Sequence, residues 1–187
     1  MESTLWFTSD HHFGHKNIIK FSNRPFADID EMNSELIKRW NEKVKPEDIV
    51  YHLGDFGLAS VPKVREILGE LNGKIHLVTG NHESVALQCA DCFESVKDYH
   101  ELIIPDPEAH AGKRLIVLFH YAMRVWNASH HGSWHLYGHS HNELPDDRTS
   151  LSFDVGVDCH DFYPISYQEV KQIMSRKTWT SPFEPRN

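Results

Sequence analysis

The spacing of apolar residues in the first half of the chain constrains the fold more than any other feature. Short apolar runs at 5–8, 48–53 and 75–79 are typical of buried strands. Between them, residues 28–45 and 60–71 place apolar side chains at the three- and four-residue spacing of an amphipathic helix. The order strand, helix, strand, helix, strand predicts right-handed crossovers and a largely parallel sheet.

Polar residues mark where these helices begin and end. Asp28 and Glu31 form a capping-box pattern ahead of the first apolar stripe, and Ser60 precedes the second. Pro46 cannot continue a helix, so we expect the first one to end at about Lys45.

The second half of the chain has a different pattern. Short apolar runs separated by turn-rich segments occur at 99–104, 115–119, 135–137 and 151–157. The capping pattern returns at Ser166-x-x-Glu169, ahead of a last helix. We therefore expect a second sheet, mixed or antiparallel, that packs on the first and is flanked by helices.

The composition, 40% hydrophobic and 25% charged, is that of an ordinary globular protein, and we expect a single domain over 1–187 with a loosely ordered tail at 178–187. No apolar run approaches the roughly 18 residues that a membrane span needs, so we expect no membrane partner and a cytoplasmic location. The formal charge is -8 and no stretch clusters Lys and Arg, so a long nucleic acid is not an expected partner. The sequence does not indicate an oligomeric state.

Three cysteines allow little redox or metal chemistry. Cys89 and Cys92 form one C-x-x-C, but Cys159 stands alone and no second pair completes a four-thiolate zinc site. We expect all three to be reduced and buried.

The distribution of the fifteen histidines is more informative than their number. Each of several predicted strands ends in residue types that bind metals: Asp10-His11-His12, Gly54-Asp55, Gly80-Asn81-His82, His120 and Gly138-His139-Ser140-His141. Sites in open α/β sheets form outside the carboxyl ends of the strands. Solvated turns would explain any one of these segments, whereas their coincidence favours a metal site.

Spacing also suggests which of these side chains act together. Residues two apart in an extended segment point the same way, which pairs Asp10 with His12 and His139 with His141. His11 would then face elsewhere.

These motifs carry a family resemblance. D-x-H, G-D, G-N-H-E, a lone His after a strand and G-H-x-H follow in the order found in the calcineurin-like metallophosphoesterases, and the chain resembles that superfamily from about residue 8 to 156. The stretches "HKNIIKFSNRPF" and "DIVYHLGDF" are similar to its small bacterial and phage members. The resemblance implies a four-layer α/β/β/α sandwich, in which two mixed sheets are flanked by helices.

The resemblance also implies a dinuclear metal centre. The first metal would be bound by Asp10, His12 and His141, the second by Asn81, His120 and His139, and both by a bridging Asp55. Oxygen and imidazole donors suit two divalent ions such as Mn, our first expectation, or Fe, Ni or Zn, rather than Ca. Two such ions about 3.5 to 4 Å apart would lower the pKa of a shared water, and the resemblance implies that the resulting hydroxide would attack phosphorus while both ions held the phosphate oxygens.

His82 occupies the family position of a histidine that does not bind metal. The resemblance implies that it is catalytic, together with Asp55, and stabilises the transition state or protonates the leaving group. An orienting role without catalytic duty is the alternative. The chain lacks the G-D-x-x-D-R-G of protein phosphatases, so that activity is disfavoured and the residue that supports His82 is open, with Glu83 as a candidate.

Substrate contacts are less constrained by the sequence. Candidates for a bound phosphate are Asn81, His82, His15, Arg24 and Arg124, with Lys16 nearby, although salt-bridged or solvated roles are the ordinary ones for the last four. A loop with His130, His131, His135, Trp126 and Trp134 could form a substrate wall or pack as an aromatic cluster. Downstream acidic and histidine side chains could orient the ligands or serve turns: Asp154, Asp158, His160 and Asp161.

The function that these features favour is a dinuclear metal-dependent phosphoesterase acting on a small phosphodiester, such as a cyclic nucleotide or a nucleotide-derived compound. A phosphomonoesterase acting on a small phosphorylated metabolite is the alternative. A catalytically silent scaffold of the same fold is disfavoured, because every ligand position and His82 are intact.

Overall fold

The structure is a computed structural model that describes residues 3–109 and 112–183. Within these ranges the strands are β1 (Leu5–Thr8), β2 (Ile49–His52), β3 (Lys74–Val78), β4 (Ser95–Lys97), β5 (His100–Pro105), β6 (Lys113–Leu118), β7 (Trp134–Tyr137), β8 (Ser152–Asp154) and β9 (Ile165–Ser166). The α-helices are α1 (Ile18–Phe21), α2 (Ile29–Lys43), α3 (Val61–Glu70) and α4 (Tyr167–Ser175). Short 3₁₀ segments lie at Ala86–Cys92, Ser129–His131 and Val157–Cys159.

The strands form two mixed sheets. The first has the order β4-β3-β2-β1-β9, in which β1 to β4 are parallel and β9 pairs antiparallel with β1. The second has the order β5-β6-β7-β8, antiparallel between β5 and β6 and parallel beyond. The predicted parallel core and the mixed second sheet are both confirmed. The two-residue β9 and the three-residue β4 are too short to give a periodic signal in the sequence.

Two apolar layers hold the sheets and helices together. Phe7 and Leu53 of the first sheet pack with Leu118 and Leu136 of the second, and α4 joins this core. A separate cluster lies between the first sheet and the helices α2 and α3, around the fully buried Trp40. The predicted sandwich of two mixed sheets flanked by helices is confirmed.

The predicted helices begin where the sequence indicates, with two differences in capping. The Asp28 carboxylate accepts from the backbone N–H of Asp30 and Glu31, and Ser166 with Glu169 forms the complete capping box. Ser60 precedes α3 but makes no side-chain capping bond, and the Glu31 carboxylate accepts from the N–H of Ala27 instead of that of Asp28.

The segment after β8 is where the two sheets meet. We expected a strand over 151–157, but β8 ends at Asp154, whose carboxylate accepts from the N–H of Gly156 at 2.6 Å. Gly156 then forms a parallel bridge with Ser9, beyond the end of β1. The chain thus leaves the second sheet for the first just beside Asp10.

Other features concern the cysteines, the tail and the membrane. Cys89 is buried and Cys159 is half-buried, but the expectation of burial is wrong for Cys92, which is exposed at the end of its 3₁₀ segment beside Arg65. In the tail, the N–H groups of Thr178 and Thr180 donate to a neighbouring loop, and 184–187 lie outside the described residues. None of the described helices has the length and apolarity to cross a membrane.

Candidate metal centre

The ends of β1 and β2 run side by side and bring the first candidate ligands together. Asp10 N–H donates to the carbonyl of Gly54, and His12 N–H donates to the carbonyl of Asp55, both at 3.0 Å. These hydrogen bonds place the Asp10 and His12 backbone next to that of Asp55 at the carboxyl edge of the first sheet.

The backbone at this edge adopts an uncommon conformation. Left-handed φ values occur at most of the candidate ligands, at 60° for Asp10, 53° for His12, 56° for Asp55, 70° for His139 and 46° for His141. The segments are therefore not extended, and the reasoning from strand alternation was wrong. Asp10 and His12 do lie together in one ligand group, whereas His139 and His141 belong to different groups. Non-glycine residues in this region cluster at functional sites, where the surrounding structure holds them.

Asp10, His12 and His141 form the first ligand group, with one donor atom each within 4.8 Å of the others. The Nε2 atoms of His12 and His141 are 3.3 Å apart, and they lie 3.9 and 3.8 Å from Asp10 Oδ1. Asp10 Oδ1 is buried without a hydrogen-bond partner. An unpaired buried carboxylate oxygen facing two imidazole nitrogens fits a cation.

Asp55, His120 and His139 form the second group, with Asn81 beside it. His120 Nδ1 lies 2.7 Å from the carbonyl of Leu53, so it carries the proton and leaves the Nε2 lone pair free. That Nε2 is 3.0 Å from Asn81 Oδ1 and 3.7 Å from Asp55 Oδ2. The His120 Nε2, Asn81 Oδ1 and Asp55 Oδ2 atoms are all acceptors that face one another, so a second cation could bind between them.

Asp55 lies between the two groups. Its Oδ2 is 3.5 Å from His12 Nε2 and 3.7 Å from His120 Nε2, so one carboxylate oxygen adjoins both. Its Oδ1 accepts from the backbone N–H of His82 at 2.8 Å. This position is the one that a bridging ligand requires.

Burial strongly perturbs the first group in the metal-free chain. It raises the pKa of Asp10 to about 7 and lowers the pKa of His12 to about 2. Burial would also lower the pKa of His141, but the hydrogen bond to Asp158 and the nearby Asp10 raise it above the ordinary value. A divalent cation would instead favour the carboxylate and the neutral imidazoles, the forms that bind metal.

Arg24 has a different role from the one considered for it. Its guanidinium forms two 2.8 Å hydrogen bonds with the Asp158 carboxylate and also donates to the backbone carbonyls of Asp10 and His11. The residue is buried and its donors are engaged, so the expectation that Arg24 contacts substrate phosphate is wrong. Asp158 in turn accepts from His141 Nδ1 at 2.7 Å, which aims Nε2 at Asp10.

Replacing Asp158 with Asn is expected to weaken metal binding, because an amide cannot accept from both Arg24 and His141 through two oxygens. Loss of a partner that orients a histidine ligand typically lowers metal affinity by roughly ten- to a hundredfold, and we expect a decrease in that range for Asp158→Asn. Competition with a chromophoric chelator measures the affinity, and the exposed Asp98→Asn is the control. An unchanged affinity would show that Asp158 does not orient His141.

Glu83 supports the loops rather than His82, for which it was a candidate. Its buried carboxylate accepts from the backbone N–H groups of Asp55, Phe56 and Gly80 at 2.8, 3.0 and 2.6 Å. Burial raises its pKa, and these three bonds act in the opposite direction. Glu83 thereby joins the loop after β2 to the loop after β3.

Glu83→Gln is expected to lower the free energy of unfolding by about 3 kcal/mol, because its amide group would face a buried donor in place of an acceptor oxygen. Urea denaturation measures the change. Glu94→Gln, an exposed glutamate on the next loop, should stay close to the unsubstituted protein. Equal stabilities of the two variants would contradict the bridging role of Glu83.

His11 and His52 lie beneath the centre and take no part in either ligand group. The N–H of Gly54 donates to His52 Nδ1, and His52 Nε2 is 3.0 Å from His11 Nδ1. Both rings are buried, and His11 stacks on Phe13. The position of His11 agrees with the prediction that it faces away from His12.

A cavity of about 740 Å³ opens onto both ligand groups. It is lined by His12, His15, Ile18, Phe21, Ser22, Asp55, Asn81, His82, His139, Ser140, His141, Glu143 and Leu144. His15, Asn81 and His82 therefore occupy positions that a substrate can reach. Arg124 does not: it lines a separate depression with Trp126 and Trp179, so the expectation that it binds substrate phosphate is wrong.

The aromatic loop after β6 does not reach this cavity either. His135 is buried, and its Nε2 lies 3.2 Å from the N–H of Met123, which donates to it. Trp134 belongs to the core between the sheets, and the His130 ring lies 5.2 Å from Phe183. These contacts favour packing over a substrate wall.

Three supporting hydrogen bonds have only weak signals in the sequence. Ser140 donates to Asp154, which fixes the loop that carries His139 and His141. Ser9 Oγ donates to Asp10 Oδ2 at 2.5 Å, and the N–H of His139 donates to the same oxygen at 2.8 Å. A serine beside a candidate ligand is too common to single out without coordinates.

The fold and site together define a class of protein. Two mixed sheets deliver two groups of oxygen and nitrogen donors around one shared carboxylate, an arrangement that could hold two metal ions. Residues 4–155 match the model of the calcineurin-like phosphoesterase superfamily domain, and the chain belongs to that superfamily.

Similar proteins extend over nearly the whole chain. An uncharacterized protein of Methanocaldococcus jannaschii is 31% identical over 181 residues, which cover 92% of each chain. The gene 66 protein of Mycobacterium phage D29 is 27% identical, over 92% of this chain and 96% of that protein. The crystal structure of a protein of unknown function from Aquifex aeolicus has a TM-score of 0.68 at 24% identity, covers 92% of this chain and all of that one, and shows the same fold.

Proposed function

We propose that the protein is a dinuclear metal-dependent phosphodiesterase that hydrolyses a small phosphodiester, such as a cyclic nucleotide or a nucleotide-derived compound. The observation that carries the proposal is the Asp55 carboxylate, which adjoins both ligand groups at the floor of an open cavity. Manganese is the proposed metal, with iron, nickel or zinc as alternatives, since the donors are imidazole, carboxylate and amide. A cytoplasmic location and the absence of a long nucleic-acid partner remain predictions.

The two cations would lower the pKa of a water toward neutrality and offset negative charge on the phosphate. The chain would hold them through Asp10, His12 and His141 on one side and Asn81, His120 and His139 on the other, with Asp55 shared. Hydrogen bonds from Ser9 and His139 N–H to Asp10 Oδ2 leave Oδ1 free to bind.

Charge at the cavity favours a diester over a monoester. A monoester is a dianion near neutral pH, and sites for dianions commonly supply Arg or Lys. No Arg or Lys is among the described residues that line this cavity. A diester carries one negative charge, which the metals alone can offset.

His82 is the residue for which we propose a role at the leaving group. The residue is exposed at the cavity, and its ring centroid lies 5.7 Å from that of His12 and 6.4 Å from that of His15. Its backbone is fixed by the hydrogen bond from its N–H to Asp55 Oδ1. We propose that the imidazole donates a proton to the departing oxygen, because it belongs to neither ligand group.

The test compares initial rates on bis-(p-nitrophenyl) phosphate and p-nitrophenyl phosphate with the manganese-loaded protein. The proposal predicts faster turnover of the diester. Faster turnover of the monoester would favour the phosphomonoesterase alternative. No turnover of either, with two metals bound, would contradict a broad phosphodiesterase.

A further inference from the structure

The mouth of the cavity carries exposed apolar side chains that the metal chemistry does not need. Phe21, at the end of α1, is 71% exposed, and Leu144, in the loop after His141, is 47% exposed. Both line the same cavity as the ligand groups. Exposed apolar side chains that gather at a site rim indicate a bound apolar group.

Phe21 is held in place by its short helix. Ile18, on the same helix, is 4% exposed and packs in the core, and the N–H of Ser22 donates to its carbonyl at 2.9 Å. The Phe21 side chain therefore projects from an anchored backbone. Because the Phe21 side chain has only two rotatable bonds, it loses little conformational entropy when a ligand binds against its ring.

Aromatic rings continue from Phe21 toward the metal groups. The Phe21 and His15 centroids are 6.3 Å apart at an interplanar angle of 72°, and His15 lies 5.4 Å from His12 and 6.4 Å from His82. A flat ligand ring near Phe21 would thus lie at the outer end of a row of rings that leads to the candidate centre. Such stacking is available to any nucleobase.

Glu143 adds a polar preference beside Leu144. It lines the cavity, and its N–H donates to the carbonyl of Ser140 at 2.7 Å. A carboxylate at the rim repels phosphate and accepts hydrogen bonds from hydroxyl or amino groups. It therefore favours the orientation in which phosphate faces the ligand groups and the organic part faces the rim.

We infer that Phe21 and Leu144 form a subsite for the flat heterocycle of a nucleoside-like group esterified to the phosphate, with Glu143 accepting from its hydroxyl or amino groups. The inference rests on the proposed function and specifies which part of the substrate the cavity selects.

The test uses the manganese-loaded protein and two substrates that share the p-nitrophenolate leaving group. They are the p-nitrophenyl ester of thymidine 5′-phosphate and p-nitrophenyl ethyl phosphate. Phe21→Ala should lower kcat/KM for the nucleoside ester about tenfold, mainly through KM, and change the ethyl ester less than about twofold. Phe21→Trp should retain the higher kcat/KM for the nucleoside ester than for the ethyl ester. Leu87→Ala, at an exposed leucine outside the cavity, is the control.

A metal-free readout accompanies the kinetics. Thymidine binding to chelator-treated protein, followed by NMR line broadening of the ligand, should weaken in Phe21→Ala and not in Leu87→Ala. Equal effects of Phe21→Ala on both esters, or faster turnover of an octyl ester than of the nucleoside ester, would overturn the subsite inference alone. Failure of the unsubstituted protein to hydrolyse any diester would contradict the proposed function instead.

Discussion

Asp55→Asn is expected to reduce phosphodiester turnover by at least about a thousandfold, because the two cations together supply several kcal/mol of transition-state stabilisation and both depend on this side chain. The metal content after desalting, measured by inductively coupled plasma mass spectrometry, should fall from two ions per chain to one or fewer. Asparagine keeps an oxygen that can accept from the N–H of His82, so the fold should persist.

The control for this variant is Asp30→Asn, which makes the same chemical change at an exposed position on α2. It should keep both metals and full activity. Circular dichroism separates loss of metal from loss of fold. Asp55→Asn with two bound metals and unchanged turnover would contradict the bridging role.

His82→Ala is expected to keep both metals and to lose about a hundredfold to ten-thousandfold in turnover of substrates with poor leaving groups. A poor leaving group needs a proton as it departs, whereas p-nitrophenolate leaves without one. The loss should therefore be much smaller for bis-(p-nitrophenyl) phosphate than for a dialkyl phosphate or a cyclic nucleotide. Initial rates on the two kinds of diester measure this difference.

His130→Ala serves as the control, since His130 is exposed and lies outside the cavity. Equal loss of both metals in His82→Ala would show that His82 acts through the metal centre. An equal decrease in rate for good and poor leaving groups would exclude proton donation and leave an orienting role.

Much of the fold was predictable because it depends on local periodicity. β1 matches its expected range, α2 begins after Asp28, and α4 begins after Ser166, since strand alternation, helical stripes and capping residues are all short-range signals. The location of the candidate site was predictable for a related reason: parallel strands bring their carboxyl ends to one edge, which places Asp10 and Asp55 at the same edge of the sheet. The division of the candidate ligands into two groups came from the family resemblance and not from the strand pattern.

Contacts made across the chain could not be predicted. Arg24 was a candidate phosphate contact with a salt-bridged role as the ordinary alternative, but its partner could not be named. That partner, Asp158, is distant in sequence and follows the crossover at Gly156. Glu83 was considered as a support for its neighbour His82, but its partners are backbone N–H groups, which carry no residue-specific signal in the sequence. Side-chain direction at left-handed positions such as His12 also departs from strand alternation.

We propose that hydrolysis depends on two metals held around Asp55. The most direct test strips the protein with chelator, adds Mn²⁺ in measured equivalents, and records the initial rate on bis-(p-nitrophenyl) phosphate at each step. We expect negligible turnover without metal and a rate that rises until two ions are bound per chain. Turnover that survives metal removal, or saturates at one bound ion, would contradict this proposal.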